Sequence, residues 1–382
     1  MLYNDFQDLK LSALGFGAMR LPLLPDGSID GAQLDAMIDL AMASGINYYD
    51  TAHPYHGGLS EVFLGKSLSR YPRESWNLAD KFPGHQNVRG VKPLLPEEVF
   101  EEQLQRCGVD YFDFYLLHNV NENSMFYYGN PDNHFMDYFL EQKEKGRIRH
   151  LGFSCHAGPE ALEQFLSLYG SSLEFCQIQL NYLDFEFQDA KSKVEYLNNL
   201  GMPIWVMEGL RGGKLAKSAL GAEKILSKSN PDWTPANWAF AFLESVPGVT
   251  VILSGMSNFE QLKQNIEFFS EKHAISDDDI ATLLTAAHFD TTGKNAGTVP
   301  CTACRYCTTH CPQQLDIPRL LALYNEHAYS EGGFIAPMAL AAIDKDKLPS
   351  ACIGCGACAK VCPQTIDIPG TMKKFTELLA GE

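Results

Sequence analysis

The chain has 382 residues, 45% of them apolar, which suits one large domain plus a smaller one and excludes a disordered chain. A formal net charge of −17 counts against nucleic acid and anionic lipid as partners. No run of roughly 18 uncharged apolar residues offers a membrane span, and the start, MLYNDFQDLKLS, lacks the basic and apolar regions of a secretion signal, so the expected location is the cytoplasm.

Short β-branched or aromatic runs predict strands at Leu14–Met19, Ile46–Tyr49, Trp76–Ala79, Phe112–Leu117, His150–Phe153, Phe175–Leu180, Ile204–Val206 and Val249–Leu253. Amphipathic helical stretches such as Gln33–Ala43, Pro96–Cys107 and Pro159–Tyr169 lie between them. Eight such alternations predict an α/β chain whose residues 1–275 form a (β/α)8 TIM barrel. A doubly wound sheet is the rival, but no G-x-G-x-x-G follows the first strand. The connection 119–135, NVNENSMFYYGNPDNHF, is too long for a simple βα loop. It is expected to be a lid over the site, with an ordinary surface excursion as the alternative.

Residues 276–299 read as a helix and linker: Ser276 caps a helix with acids in its first turn, and TTGKNAGTVP at 291–300 follows. Beyond it the sequence repeats itself. CTACRYCTTHCPQQLDIPRLLALYN resembles CIGCGACAKVCPQTIDIPGTMKKFT, each copy carrying four cysteines, a proline and Asp-Ile-Pro at a helix start. Asp316 and Asp367 are expected to cap those helices, with Pro318 and Pro369 in the first turn. From Thr291 onward there are eight Lys+Arg and eight Asp+Glu, so the acidic excess lies in the barrel segment.

Eight of the eleven cysteines fall in the two repeats, Cys301, Cys304, Cys307 and Cys311, then Cys352, Cys355, Cys358 and Cys362. In a cytosolic chain such clustering points to metal rather than to disulfides. Structural zinc favours two Cys pairs across a longer loop, a poor fit to four close cysteines with a trailing proline. The spacing resembles dicluster ferredoxin domains, of the helical type in view of the wide gap between blocks, and implies two [4Fe–4S] clusters in residues 300–382. In two-cluster ferredoxins the fourth Cys ligates the other cluster. By that rule Cys301, Cys304, Cys307 and Cys362 hold one, and Cys352, Cys355, Cys358 and Cys311 the other. The isolated Cys107, Cys155 and Cys176 read as small buried apolar residues.

In the barrel segment, Gly45-Ile46-Asn47-Tyr48-Tyr49-Asp50-Thr51-Ala52, then Tyr55-His56-Gly57 and Ser60-Glu61-x-x-Leu64-Gly65, resemble the signature of the aldo-keto reductase family. Lys81, His118 in Tyr115-Leu116-Leu117-His118, Gly152-Phe153-Ser154 and Gln177 follow in the family's order, so the resemblance spans about residues 10–268. It implies a barrel that reduces carbonyls with NADPH or NADH. The chemistry agrees: Tyr55 is the expected proton donor, with Lys81 pulling its pKa down from about 10, Asp50 holding Lys81, and His118 orienting the carbonyl oxygen.

The resemblance also assigns Ser154 and Gln177 to the nicotinamide amide and Trp205 to its ring face, with Cys155 standing where relatives often have Asn. Arg211, Gly212, Gly213 and Lys214 are expected beside the pyrophosphate. After the last strand, Gly255, Ser257, Gln261 and Asn265 are the expected 2′-phosphate and adenine contacts; Gly255 and Gln261 replace the Lys and Arg of many NADPH-using members. The Ser-Asn-x-x-Gln-Leu pattern resembles the potassium-channel β-subunit branch, which binds NADP. NADP is therefore expected, with NAD second. The expected substrate is a small carbonyl or alcohol, and the aromatic loop suggests an apolar or aromatic one. The rival reading is a nucleotide-sensing electron-transfer protein that meets a ferredoxin or flavoprotein, and a third makes the clusters structural staples.

Overall fold

The computed structural model describes residues 1–87, 93–291 and 297–381. The chain forms two compact units, Met1–Leu283 and Leu284–Glu382, and the division falls within the helix Asp277–Thr291. Ser276 caps that helix, its Oγ accepting from the Asp279 amide at 3.1 Å. Residues 292–296 of the expected linker lie outside the described residues. Among the described residues no helix is long and apolar enough to cross a membrane.

The first unit is built on ten strands: β1 (Tyr3–Phe6), β2 (Leu9–Ser12), β3 (Leu14–Gly17), β4 (Tyr48–Asp50), β5 (Asn77–Phe82), β6 (Phe112–Val120), β7 (Ile148–Cys155), β8 (Cys176–Gln179), β9 (Ile204–Met207) and β10 (Val249–Ser254). The last eight pair in parallel, β10-β3-β4-β5-β6-β7-β8-β9, and close into a barrel wrapped by helices. All eight predicted strands are present. Their near-continuous burial follows from having side chains on one face and helices on the other.

Sequence reading missed the antiparallel hairpin β1–β2, which pairs Tyr3 with Ser12 and Phe6 with Leu9. YNDF carries little apolar signal, yet its one buried ring, Phe6, plugs the barrel floor. Phe6 packs with Leu11, Tyr48, Phe114, Phe175, Trp205 and Val251, its ring meeting that of Trp205 edge-on with 5.0 Å between centroids. Asn47 ties the hairpin to the strand starts, donating to the Lys10 carbonyl at 2.8 Å. A sealed floor leaves the opposite mouth, at the strand C-termini, for chemistry.

Gly65 has a packing reason. A Cβ there would stand 2.1 Å from the Cys107 carbonyl oxygen, so only glycine lets helix Leu59–Leu68 approach helix Pro96–Cys107 this closely. Cys107, Cys155 and Cys176 are buried, as expected of small apolar fillers.

The long connection is a packed cap, not an open loop. β6 runs on to Val120, a helical turn forms at Met125–Tyr128, and Tyr127 and Tyr128 are buried. Tyr128 Oη donates to the His118 carbonyl at 2.6 Å, pinning the cap to the strand that carries His118.

The second unit has its own core of Leu315, Ile317, Leu320, Leu321, Tyr324, Ile366, Ile368, Met372 and Phe375, contributed mainly by the repeat helices Ile317–Tyr329 and Ile368–Ala380. Asp367 caps its helix, accepting from the Gly370 amide at 3.1 Å. Asp316 does not cap: its carboxylate turns to Arg305, with both oxygens 3.4 Å from Nη2.

Candidate functional site: the barrel mouth and two thiol-ringed cavities

Four side chains meet at the barrel mouth. Asp50 ends β4, Lys81 lies late in β5 and His118 late in β6, while Tyr55 sits in the turn Tyr55–Gly58 that follows β4. The Lys81 ammonium is fully buried, 2.6 Å from Asp50 Oδ1 and 2.6 Å from the Thr51 carbonyl. It stands 5.0 Å from the centre of the Tyr55 ring, whose edge meets His118 at 6.0 Å between centroids.

Electrostatics sort these groups into roles. Burial alone would discharge Lys81, but Asp50 and Tyr55 beside it raise its pKa above the ordinary value, so it keeps its proton. Burial lifts Tyr55 above 10; Lys81 pulls it back only in part, and Asp50 opposes that pull. The expected net lowering of Tyr55 is therefore absent, because burial outweighs the pull of Lys81. Tyr55 holds a proton at neutral pH. Burial, with the positive surroundings of His85, Lys81 and His156, drives His118 well below the usual imidazole range, so it is neutral. Its Nδ1 is buried without a hydrogen-bond partner among the described residues.

Ser154 in β7 and Gln177 in β8 are also buried, and Ser154 Oγ and Gln177 Oε1 have no partner among the described residues. Unpaired buried polar atoms are costly, and two of them on adjacent inward strands fit a ligand that brings both a donor and an acceptor, as a carboxamide does. Cys155 offers nothing similar: it is fully buried, and burial pushes its thiol up to about 11.

Two nucleotide expectations are corrected. Trp205 is 0% exposed among Phe6, Tyr48, Phe114 and Phe175 in the floor, so its ring cannot meet a nicotinamide. Two residues later Met207 lies at the mouth, its sulfur 3.8 Å from Gln177 Nε2. Alternation along a strand explains the error, since residues i and i+2 share a face but differ in depth. Arg211 is likewise not an uncommitted cation. Its guanidinium pairs with the fully buried Asp184, which also accepts from Gln179 at 2.8 Å and Asn181 at 2.7 Å, and the Arg211 side chain is 8% exposed.

The cation that sequence reading missed is Arg20, just past β3. A methyl group on Gly255 would stand 3.3 Å from its Cβ, and one on Gly212 would stand 3.3 Å from its Nη2, so its side chain spans the two glycines. Its place after a barrel strand was the available signal. Gly212 beside it is exposed, as is Lys214. Gly255, Ser257 and Gln261 are exposed beyond β10, where the Gln261 side-chain oxygen accepts from the Ser257 amide at 2.8 Å. Asn265 is buried and donates to Ser254 Oγ at 3.0 Å.

In the second unit the eight repeat thiols ring two hollows. Cys301, Cys304, Cys307 and Cys362 line one; Cys311, Cys352, Cys355 and Cys358 line another. Each repeat thus lends its fourth cysteine to the other's hollow. Among the described residues no three Cys, His, Asp or Glu side chains converge as ligands of a single ion. Four thiols around a hollow suit the corners of a cubane, and thiolates are the donors iron–sulfur clusters take.

Comparison with known proteins agrees with both halves. Residues 13–287 match the Aldo/keto reductase family and residues 300–366 match a 4Fe-4S dicluster domain. The chain is 29% identical over 193 residues to the NADH-specific methylglyoxal reductase of Escherichia coli, covering 46% of this chain and 57% of that protein. It is 27% identical over 164 residues to a probable aldo-keto reductase of Glycine max, covering 41% of this chain and 45% of that relative. These two alignments thus span about half of each relative. An aldo-keto reductase of Bacillus halodurans in its holo form superposes with a TM-score of 0.58 at 24% identity, covering 73% of this chain and 93% of its own. One from Klebsiella pneumoniae, in complex with NADP and acetate, gives 0.57 at 18%, covering 72% and 92%.

Proposed function

This chain belongs to the aldo/keto reductase family and carries a 4Fe-4S dicluster domain, and from that premise we propose that it interconverts a carbonyl and an alcohol with NAD(P)H in a protein that also holds two [4Fe–4S] clusters. The observation that carries this reading is the buried Lys81–Asp50 pair beside Tyr55 and His118 at the barrel mouth.

The bound reduced nicotinamide supplies a hydride, that is, the electron pair. Ser154 and Gln177 would hold the carboxamide of a bound nicotinamide through atoms that have no other partner among the described residues. Neutral His118 donates to the carbonyl oxygen of the substrate and fixes its direction. Tyr55 delivers its Oη proton to that oxygen as negative charge builds there, and Lys81 stabilises the tyrosinate left behind. Asp50 keeps Lys81 charged and placed. In oxidation the same groups run backwards. Arg20 and Lys214 offset the pyrophosphate, with Gly212 allowing close approach. Ser257 and Gln261 offer neutral contacts to the adenosine end, which favours NADP modestly, and NAD is second.

Substrate aldehyde or ketone enters over the aromatic cap, where Phe126 is half exposed. The working compartment we propose is the cytoplasm, where thiolates stay reduced. The test is a spectrophotometric screen of carbonyls with both nucleotides on anaerobically purified protein, joined to iron and sulfide analysis. Nucleotide oxidation that is lost in Tyr55→Phe is the expected result.

A second reading rests on the exposure of Cys304 and Cys355, one at each hollow. Clusters there are within reach of a one-electron carrier such as a ferredoxin or flavoprotein, and the barrel then senses nucleotide. Turnover driven by a reduced low-potential donor without nucleotide distinguishes it.

A further inference from the structure

The two thiol-ringed hollows descend from the same repeat, so their differences can be read position by position. Cys301-Thr302-Ala303-Cys304-Arg305-Tyr306-Cys307 aligns with Cys352-Ile353-Gly354-Cys355-Gly356-Ala357-Cys358. Both loops need left-handed backbone at two positions. The second copy supplies Gly354 at φ +70° and Gly356 at φ +73°; the first holds Ala303 at +49° and Arg305 at +64°. A non-glycine residue in this region carries a cost that glycine avoids. Ala303 shows that the turn tolerates it, so conformation alone assigns nothing to Arg305. What sets Arg305 apart is its charge.

Arg305 lines the hollow of Cys301, Cys304, Cys307 and Cys362, together with the polar Thr302 and Gln364. Among the described residues the wall of the twin hollow carries no charged side chain; it holds Gln313, the counterpart of Gln364, and is otherwise mainly Leu315, Ile317, Ile353, Ile368 and Met372. Asp316 is diverted from capping its helix to face the guanidinium, whereas its counterpart Asp367 caps. Arg305 is therefore anchored in place. Two features act the other way. Lys347 reaches the Gln313 carbonyl at the twin hollow, though its ammonium also lies 3.7 Å from Asp346. The Leu315 amide donates to Cys311 Sγ at 3.5 Å, an ordinary length for a sulfur acceptor. Arg305 is itself paired with Asp316 at 3.4 Å, so the difference is one of position: among the described residues its side chain lines a thiol hollow, whereas Asp316 and Lys347 line neither.

Adding one electron to a cluster adds one negative charge, so a fixed cation in the wall favours the reduced form. We propose that Arg305 makes the cluster held by Cys301, Cys304, Cys307 and Cys362 the more easily reduced of the two, so that a single electron given by an external low-potential donor comes to rest there. This rests on the two-cluster reading above. Each cluster accepts one electron, the donor is oxidised by one, and no bond is made or broken. Arg305 acts on potential without ligating, as a tuning residue. Ile368 lines both hollows and stands between the two clusters.

The test is a reductive titration of the full chain under anaerobic conditions, followed by electron paramagnetic resonance, after iron and sulfide analysis. The wild type should show two one-electron components of unequal potential. Arg305→Gln should lower the upper component and leave the other in place, changing its reduced-to-oxidised ratio at fixed potential by roughly three- to tenfold for an exposed charge about 10 Å away; for one electron, tenfold is 59 mV. Arg305→Lys should restore most of the difference. Gly356→Arg should raise the lower component, since a Cβ there meets nothing within 4 Å. If Gly356→Arg does not fold, the Gln and Lys pair at Arg305 decides alone. Unmoved potentials, or equal shifts of both components, in protein holding about eight irons would overturn this inference and leave the cluster reading standing. Protein without labile sulfide would overturn both.

Discussion

The barrel and the tail build their sites in opposite ways. At the barrel mouth the working residues come from five strand ends, and residues 50, 55, 81, 118, 154 and 177 meet only because eight strands close. In the tail, ligands within a repeat are separated by only two or three intervening residues, and a repeat is needed only to exchange the fourth. A site made by closure is preorganised by a large core, whereas a site made by local spacing has a small core and depends on what it binds. The barrel's chemistry should therefore be lost by deleting an atom, and the tail's by removing its ligand.

The largest expected effect follows from that contrast. Tyr55→Phe removes one hydroxyl and should cut carbonyl turnover by at least about a hundredfold, since the acid acts on the transition state. Nucleotide affinity, measured by fluorescence titration, should stay nearly constant. Activity within about tenfold of wild type would mean the proton comes from another group.

Loss of the clusters, by chelation or by Cys304→Ser with Cys355→Ser, should unfold or loosen the tail while the folded barrel keeps most of its hydride-transfer rate. Differential scanning calorimetry should show the tail transition falling and the barrel transition staying. A matched fall in rate would tie the two regions together chemically.

Trp205→Ala should cost about 3–5 kcal/mol by opening the aromatic floor. Trp205→Phe should cost far less, and neither should alter nucleotide affinity in the protein that remains folded. Urea denaturation with a binding titration checks both.

Trp205 also marks how far sequence reaches. All eight barrel strands were legible, because burial on both faces writes them as apolar runs. Asp50, Tyr55, Lys81 and His118 were legible through their order along the chain and their place at strand ends. Depth along a strand was not: Trp205 and Met207 share a face, and only the hairpin carrying Phe6 shows that Trp205 belongs to the floor. The partner of a charge was hidden too. Arg211 reads as a free cation until Asp184, far along the chain, is seen beneath it, and Arg20 has no local pattern to announce it. The tail was legible nearly whole because its information lies in spacing, apart from the different fates of Asp316 and Asp367.

A smaller effect concerns acid. His156 is pushed down to about 4 by burial, and His118 lies well below the ordinary value for the same reason. In the unfolded chain both bind protons near pH 6.5, so the stability they contribute is full above that pH and is lost as pH falls toward the folded values. By pH 5, His156 alone should cost about 2 kcal/mol. Melting curves between pH 8 and pH 5 should show this fall, and His156→Gln should lessen it.

The smallest effect is nucleotide preference. NADPH should bind more tightly than NADH by a modest margin, because Ser257 and Gln261 offer neutral bonds worth roughly 0.5–1.5 kcal/mol each. A preference of roughly a thousandfold either way would mean that a charged contact governs it.

The separation of the two regions can be tested in one anaerobic stopped-flow measurement, in which protein carrying NADPH and oxidised clusters is mixed with a carbonyl it turns over. Nucleotide and cluster absorbance are followed together. We expect one nucleotide oxidised per alcohol formed, with the cluster absorbance flat, because hydride transfer moves an electron pair and a cubane takes one electron. Cluster bleaching in step with nucleotide oxidation, or alcohol formed from a reduced low-potential donor in the absence of nucleotide, would contradict the account and make electron relay the function of the chain.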